Sequence, residues 1–179
     1  MRHLRLDDDE QREYVEGLVA AATGWLDGPG GWLGRCLGEQ TLELVDYAFG
    51  NDRLPYPPAI EVVSVGYTDP NGVEQAFPDD RFRLLANGSI WSEQWPALGS
   101  GPDPVRVRYR CGYPDRVTPA DGDIAEFCES TVPPAIRQAI LLLVGQWFRS
   151  RENVVVGTIA TAMPFAAEAL LSPYRVWSV

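Results

Sequence analysis

The chain has 179 residues, of which 45% are hydrophobic and 22% are charged; this composition is typical of a single globular domain and excludes a disordered or fibrous protein. Its formal net charge of −10 at pH 7 argues against nonspecific nucleic-acid binding, because that activity needs an excess of Lys and Arg. The longest apolar run, Ala139–Val144, is far shorter than the roughly 20 residues of a membrane span, and the charged segment Met1–Glu10 is unlike a signal peptide.

The N-terminal region predicts a helix followed by a glycine-rich stop. Asp7 and Glu10 resemble a capping box at the start of the helix. Apolar residues then recur at helical spacing, namely Tyr14, Val15, Leu18, Val19, Ala22, Trp25 and Leu26. The segment Gly28–Gly31 ends this helix, and a short second helix is predicted at Trp32–Leu37, with Gly38 as its C-terminal cap.

From Glu39 onward the hydrophobic period changes to that of strands, which predicts a β-rich insertion over residues 39–113. The predicted strands are Thr41–Phe49, Ile60–Tyr67, Val73–Phe77, Arg81–Leu85, Ser89–Trp91 and Val105–Cys111. The dipeptides Asn71-Gly72 and Asn87-Gly88 predict tight turns, because both residue types tolerate a positive φ.

The last of these strands alternates apolar residues with Arg106, Arg108 and Arg110. One interpretation is a solvated sheet face on which the arginines pair with carboxylates of neighbouring strands. The other is an arginine surface that meets an acidic partner or phosphate groups. The sequence leaves both interpretations open.

The longest helical pattern follows a connection, residues 112–131, that is predicted to be irregular. The helix is predicted over Pro133–Arg149, with Ser130 or Thr131 as its N-terminal cap. Its apolar residues cover more than one stripe of the helix, and they are Ile136, Ile140, Leu141, Leu142, Leu143, Val144, Trp147 and Phe148. We therefore expect this helix to be mostly buried, against its own chain or against other chains.

A short helix at Met163–Leu171 and a tail over residues 173–179 follow. The tail carries Tyr174, Val176, Trp177 and Val179, a β-favouring run at a position where most chains fray. It either packs against its own domain or docks on another protein as a strand or anchor.

The residues do not suggest catalysis. The single histidine, His3, stands in the charged N-terminal segment, so a histidine-activated nucleophile is not expected. No glycine-rich phosphate loop is present in the sequence. Cys36, Cys111 and Cys128 lack metal-ligand spacing and are interpreted as reduced core residues. We predict no catalytic, metal or cofactor site.

Nearly the whole chain follows one order of segments: LRLDDDEQREYVEGLVAAATGWLDG, EQTLELVDYAF, LPYPPAIEVVSVGYTDPNGVEQAF, VRVRYRCGY, VPPAIRQAILLLVGQWFRSRENVVVG and MPFAAEALLSPYRVWSV. This order resembles the tailed-phage head-to-tail connector, or adaptor, family, in the branch with a β-rich insertion that is found in prophages and gene transfer agents. The most specific pieces are LPYPPAIEVVSVGYTD, IRQAILLLVGQWFRSRE and PYRVW. The resemblance implies one α+β connector domain over residues 1–179. It is a small helical bundle, with a long first helix, a long central helix and a short C-terminal helix, and an antiparallel β-rich insertion between the helices.

The resemblance also implies a structural role in a virion or phage-like particle, assembled in the bacterial cytoplasm. Family members form a ring, commonly of twelve copies, beneath the portal protein at the head-tail interface. The ring extends the channel, through which DNA passes without specific binding, and offers a docking surface to neck, stopper or tail proteins.

Three sets of residues are assigned by this reading. Portal docking is expected at the tail, through Pro173, Tyr174, Arg175, Val176, Trp177 and Val179. The candidates for the ring interface are Ile136, Ile140, Leu142, Leu143, Trp147 and Phe148. The candidates for a charged surface are Arg106, Arg108 and Arg110.

Three alternatives remain. The first is another neck component, such as a stopper or a tail-terminator-like protein, which would form a six-fold ring. The second is a cytoplasmic binding module that uses the strand with Arg106, Arg108 and Arg110. The third is a divalent-metal enzyme built on carboxylate pairs such as Asp79 with Asp80.

Overall fold

The protein is an α+β fold in which helices flank a β-rich segment, as the sequence predicts. The computed structural model describes residues 9–50, 53–118, 127–150 and 163–177. The helices are α1 (Asp9–Leu26), α2 (Pro134–Arg149) and α3 (Phe165–Leu171), with short 3₁₀ turns at Asp79–Arg81 and Ser172–Tyr174. The strands are β1 (Gln40–Asp46), β2 (Ala59–Thr68), β3 (Glu74–Phe77), β4 (Phe82–Leu84), β5 (Ile90–Ser92), β6 (Val105–Cys111), β7 (Asp115–Thr118) and β8 (Phe127–Ser130).

The chain divides into two compact units. The sheet unit is Gly38–Pro114, and its boundaries lie one residue outside the predicted insertion at each end. The helical unit combines α1 and the loop that follows it, up to Leu37, with the segment that begins at Asp115. The chain therefore leaves the helical unit once and returns to it once.

The core of the helical unit is built from apolar residues at helical spacing. α2 packs against both α1 and α3. The buried residues are Val15, Ala22 and Leu26 of α1, Ile136, Ala139, Leu143 and Val144 of α2, and Ala167 and Leu171 of α3. Each large side chain buried in this way stabilises the fold by about 1.5–3 kcal/mol.

The start of α2 corrects the predicted capping. The N-cap position is Pro133, without a side-chain capping bond, and Pro134 stands at the first helical position. Ser130 Oγ instead accepts a hydrogen bond from the amide of Val132, before the helix begins. Proline suits this position because the missing N–H of the first turn would have no intrahelical partner. The predicted capping box at the start of α1 includes Asp7, which lies outside the described residues.

The predicted helix at Trp32–Leu37 is absent, and this prediction was wrong. The segment Gly28–Leu37 is a loop that folds back on the end of α1, and we refer to it as the glycine loop. The amide of Gly28 donates to the Arg35 carbonyl at 2.9 Å, and the amide of Leu37 donates to the Asp27 carboxylate at 2.6 Å. Gly34 has φ +63°, a left-handed conformation that interrupts any right-handed helix there.

The connection over residues 112–131 is also more regular than predicted. β7 and β8 form an antiparallel hairpin with Asp115 opposite Ser130 and Arg116 opposite Glu129. The sequence gives little sign of β7 because its described side chains, Asp115 to Val117, are all exposed, including 55% of Val117. A strand without a buried face carries no alternation of apolar and polar residues.

The sheet unit is organised around β6, the strand that carries the three arginines. The four-stranded antiparallel sheet has the order β1-β6-β2-β3, and β4 and β5 form a separate hairpin. Alternate residues of β6 are buried: Val105, Val107, Tyr109 and Cys111. Aromatic rings extend this core, and they are Phe49, Tyr67, Phe77, Phe82 and Trp95. The alternation in the sequence thus predicted correctly which face of β6 is buried.

The turn between β2 and β3 lies where the Asn-Gly pair predicts it. Gly72 has φ +80°, and the Asp69 carboxylate accepts hydrogen bonds from the amides of Asn71 and Val73 at 2.9 and 3.0 Å. The bond from Val73, with help from Gln75 and Asn71, lowers the pKa of Asp69 below its ordinary value of 3.8.

Candidate assembly surfaces

The C-terminal tail is held by the backbone of the glycine loop. After the 3₁₀ turn at Ser172–Tyr174, the amide of Val176 donates to the Leu33 carbonyl at 2.8 Å. Arg35 Nε donates to the Tyr174 carbonyl at 2.7 Å. A Cβ built on Gly34 would lie 2.8 Å from the Val176 carbonyl oxygen, so this approach requires glycine.

Side chains of the tail and of the glycine loop form a layered group that we call the tail cluster: Trp32, Arg35, Tyr174, Arg175 and Trp177. The Arg175 guanidinium carbon lies 4.1 Å from the ring centroid of Trp32 and 4.1 Å from that of Trp177. Arg35 lies over the Tyr174 ring at 5.9 Å. Trp177 remains 77% exposed, so the outer layer of the cluster faces solvent.

The structure thus shows the described part of the tail in contact with its own unit. It is a 3₁₀ turn followed by extended residues, rather than the strand suggested by the β-favouring composition. Pro173 lies in the turn, and Val179 lies outside the described residues. Sequence reasoning missed Trp32 and Arg35 as partners of the tail, and local pattern gives no signal for them.

The predicted ring-interface residues of α2 divide into two groups. Ile136 and Leu143 are buried, with exposed fractions of 0% and 1%. The half-buried members are Ile140, Leu142, Trp147 and Phe148. The neighbouring Leu141 is 37% exposed. Within its own chain, α2 is therefore fully buried along one face only, and burial of its other apolar residues against further chains stays a prediction.

Aromatic residues of α1 extend the half-buried side of α2. Tyr14 packs on Phe148 with ring centroids 6.1 Å apart, and Trp25 packs on Trp147 at 6.3 Å. Tyr14 is 37% exposed and Trp25 is 39% exposed, although both belong to the apolar helical pattern of α1. We call these four residues the aromatic patch. It is an apolar surface that the described helical unit leaves partly open to solvent.

The arginines of β6 mostly pair with carboxylates of neighbouring strands, as the first interpretation predicts. Arg106 lies 2.9 Å from Glu74, and Arg110 lies 2.7 Å from Glu61. The hydrogen bonds from Arg110 to Glu61 and then to Glu39 raise the pKa of Arg110 above its ordinary value. Exposed pairs of this kind contribute little to stability, because solvent screens the charges. Their main effect is to neutralise this face of the sheet.

Arg108, between them, is different. Its partners in register are Glu43 on β1 and Ser64 on β2. No ion pair joins it to Glu43 within 4.0 Å in the part of the chain that the structure describes. The three arginines therefore do not form one uniform charged surface.

The described residues hold no group of three or more His, Cys, Asp or Glu side chains arranged to bind a metal ion. Cys36 and Cys111 are buried thiols, as predicted, while the side chain of Cys128 and the whole of His3 lie outside the described part. Asp79 and Asp80 are exposed in a 3₁₀ turn. Over the described ranges, no helix has the length and apolar character needed to cross a membrane.

No protein-family model matches the chain, and no curated protein sequence matches it either. Solved structures do match it. A chain of the "virion of native gene transfer agent (GTA) particle" is 23% identical with a TM-score of 0.56, over 99% of this chain and 87% of that chain.

Two structures of necks give similar matches. A chain of the neck of an empty GTA particle, computed with C6 symmetry, is 23% identical with a TM-score of 0.53, over 97% of this chain and 81% of that one. A chain of the neck of a native GTA particle, computed with C12 symmetry, is 23% identical with a TM-score of 0.51, over 96% and 85%. The protein therefore shares its fold, along nearly its whole length, with chains of these particles.

Proposed function

We propose that the protein is a structural component of the neck of a phage-like particle, where it acts as the head-to-tail connector. The observation that carries this proposal is the fold likeness over 96–99% of the chain to chains of GTA virion and neck structures. A likeness of this extent includes both the helical unit and the β-rich insertion. The role is that of an assembly protein without catalysis.

The connector forms a ring of twelve copies beneath the portal protein, at the head-tail interface. The likeness to a neck computed with C12 symmetry supports this copy number. The aromatic patch and the half-buried residues Ile140 and Leu142 of α2 supply apolar surface for the neighbouring subunit. Apolar surface of this kind on a soluble chain is typical of an interface.

The tail, from Pro173 to Val179, docks on the portal protein, and the opposite end of the ring receives neck, stopper or tail proteins. DNA passes through the channel without specific binding. Two features support this: the net charge is −10, and Arg106 and Arg110 are already paired with carboxylates. The same pairing weakens the alternative of an arginine-based binding module.

A second neck role, as a stopper or tail-terminator-like protein, is favoured by one observation, the likeness to a neck computed with C6 symmetry. The two roles differ in copy number. Native mass spectrometry of the purified full chain, alone and with its portal protein, counts the subunits directly. Twelve copies support the connector, six copies favour the second role, and a chain that stays monomeric with and without the portal contradicts both.

The ring interface is tested by Leu142→Asp, because a half-buried charge at a subunit contact blocks assembly. We expect a folded monomer that forms no ring. Val117→Asp is the matched control, since Val117 is an exposed apolar residue outside the proposed interface, and its rings should persist. Unfolding of Leu142→Asp would identify a core residue, and intact rings would remove Leu142 from the interface.

Portal docking is tested by truncation after Ser172. We expect the truncated chain to retain its ring, because the ring-interface residues lie on α1 and α2, and to lose portal binding in a sedimentation assay. Unchanged affinity for the portal would contradict docking through the tail.

A further inference from the structure

The tail cluster contains a guanidinium group, that of Arg175, which contacts two indole rings and has no hydrogen-bond partner among the described residues. Arg175 lies against the indoles of Trp32 and Trp177, each at 4.1 Å. Both distances are those of a cation–π contact, in which the ring attracts the positive charge but accepts no in-plane N–H bond. Among the residues that the structure describes, Arg175 makes no side-chain hydrogen bond or ion pair.

We propose that Arg175 is a carboxylate-binding site, held in place by Trp32 and Trp177, that receives an Asp or Glu side chain of the protein on which the tail docks. That the bound protein is a neck partner rests on the proposed connector function. The recognition of a carboxylate rests on the geometry of the cluster alone, and it is tested separately below.

The backbone places Arg175 in this position before any partner binds. The residues on either side of Arg175 are fixed, because the Tyr174 carbonyl accepts from Arg35 and the Val176 amide donates to Leu33. A flexible arginine loses rotamer freedom when it binds, whereas a stacked one has already lost it. The cluster therefore presents a pre-organised fork of donors, and the two oxygens of a carboxylate match that fork.

The exposed Trp177 indole favours a protein as the ligand. It is 77% exposed and lies beside the donors, so a partner that pairs with Arg175 also covers an apolar ring. Trp and Arg are among the residue types enriched at the energetically dominant centres of protein interfaces. A nucleic acid would need several cations along its backbone, and the second arginine of the cluster, Arg35, already donates to a carbonyl.

The backbone hydrogen bonds of the tail also argue against docking by strand addition. The amides of Arg175 and Val176 both donate within the chain, to Ser172 and Leu33. Strand addition depends on main-chain donors that are free to bond with the new sheet. In the proposed site the side chains of Arg175 and Trp177 make the contact instead.

The test is an NMR titration of the ¹⁵N-labelled full chain with the acidic tetrapeptide acetyl-Glu-Glu-Glu-Glu-amide. We expect saturable shifts of the Arg175 Nε–Hε signal and of the indole N–H signals of Trp32 and Trp177. Arg175→Met keeps an unbranched side chain between the indoles but removes charge and donors, and it should weaken binding about tenfold or more. An unchanged Val176 amide signal shows that the tail of this variant is still seated.

The matched control is Arg83→Gln. Arg83 lies over the indole of Trp91 at 4.6 Å, and no second ring among the described residues contacts its guanidinium group. We expect its loss to leave peptide binding unchanged. Equal weakening by Arg83→Gln and Arg175→Met, or the absence of any saturable shift at Arg175, would overturn the proposal.

A thymidine tetranucleotide at the same concentrations supplies phosphates and bases in place of carboxylates. Binding at least about tenfold weaker than that of the peptide supports the proposal, and tighter binding would replace it with a nucleic-acid site. The titration needs neither a ring nor a portal protein. If the chain binds the peptide at Arg175 but is never found in a neck, only the connector role is refuted. If the chain is found as a connector but does not bind the peptide at Arg175, only the carboxylate site is refuted.

Discussion

The tail cluster and the outer face of the four-stranded sheet both carry arginines, but the arginines have different partners in the two places. On the sheet, Arg106 and Arg110 meet carboxylates of neighbouring strands at 2.9 and 2.7 Å. In the tail cluster, Arg175 meets two indole rings and no carboxylate among the described residues. Two of the three arginines on the sheet are therefore neutralised within the chain, whereas Arg175 of the tail cluster keeps a charge that is ordered and available. Residue type alone does not distinguish a surface whose charges are paired within the chain from one that is open to a binding partner. The partners of each side chain make that distinction.

The largest effect on this comparison is expected from a substitution that detaches the tail from the glycine loop, because Arg175 then loses its fixed position. In Gly34→Val, the new Cβ meets the Val176 carbonyl oxygen and φ +63° becomes strained, so we expect a loss of about 1–3 kcal/mol of stability in this region. Hydrogen exchange at the Val176 amide should accelerate, because its bond to Leu33 is lost.

The control for this substitution is Gly30→Ala in the same glycine loop, where an added Cβ meets nothing within 4 Å. Its effect on stability should stay within about 0.5 kcal/mol. A Val176 amide that is equally protected in both variants would show that the glycine loop does not hold the tail.

A smaller effect is expected when the sheet face loses a paired cation. Arg110→Gln removes the partner of Glu61 and Glu39, and we expect a small decrease in the free energy of unfolding by urea, because solvent screens an exposed pair. The loss should shrink at high salt, because exposed pairs are screened. Arg108→Gln is the control, because Arg108 has no ion pair among the described residues. An equal, salt-sensitive loss there would mean that Arg108 contributes as much as Arg110.

The smallest effect concerns Asp69, whose pKa is lowered chiefly by the hydrogen bond from Val73. A carboxyl group whose pKa is lower in the folded protein stabilises it above the unfolded value of 3.8, and this contribution is lost as pH falls below that value. Between about pH 5 and about pH 3, the stability of the wild type should fall slightly more than that of Asp69→Asn. Identical slopes in acid would contradict this role for the turn. None of the five residues of the tail cluster carries a carboxylate. The protection of the Val176 amide against hydrogen exchange, after correction for the pH dependence of exchange in an unfolded chain, should therefore not fall between about pH 5 and about pH 3.

Most of the fold could be predicted from the spacing of apolar residues along the sequence. The alternation along Val105–Cys111 identified the central strand and its buried face, and the spacing from Ile136 to Val144 identified the central helix. The β7–β8 hairpin was missed because exposed strands such as that of Val117 lack alternation. The helix predicted at Trp32–Leu37 was wrong because the left-handed Gly34 and the fold-back onto α1 override local helical spacing.

The candidate surfaces were harder to predict than the fold. The tail was singled out by its composition, but its partners Trp32 and Arg35 could not be found, since Arg35 and Tyr174 are 139 positions apart. Local patterns do not encode such pairings. The aromatic patch was missed for another reason: Tyr14 and Trp25 fit the apolar stripe of a helix, and only packing shows that they remain partly exposed.

The central claim, that the protein is the connector ring of a neck, is tested most directly by locating it in assembled particles. The measurement is a cryo-electron microscopy reconstruction, without imposed symmetry, of the neck of particles that contain the full chain. The account predicts twelve copies in one ring in contact with the portal, with residues 173–177 at that contact. Particles whose neck lacks the chain, or in which it forms a ring that does not touch the portal, would contradict it.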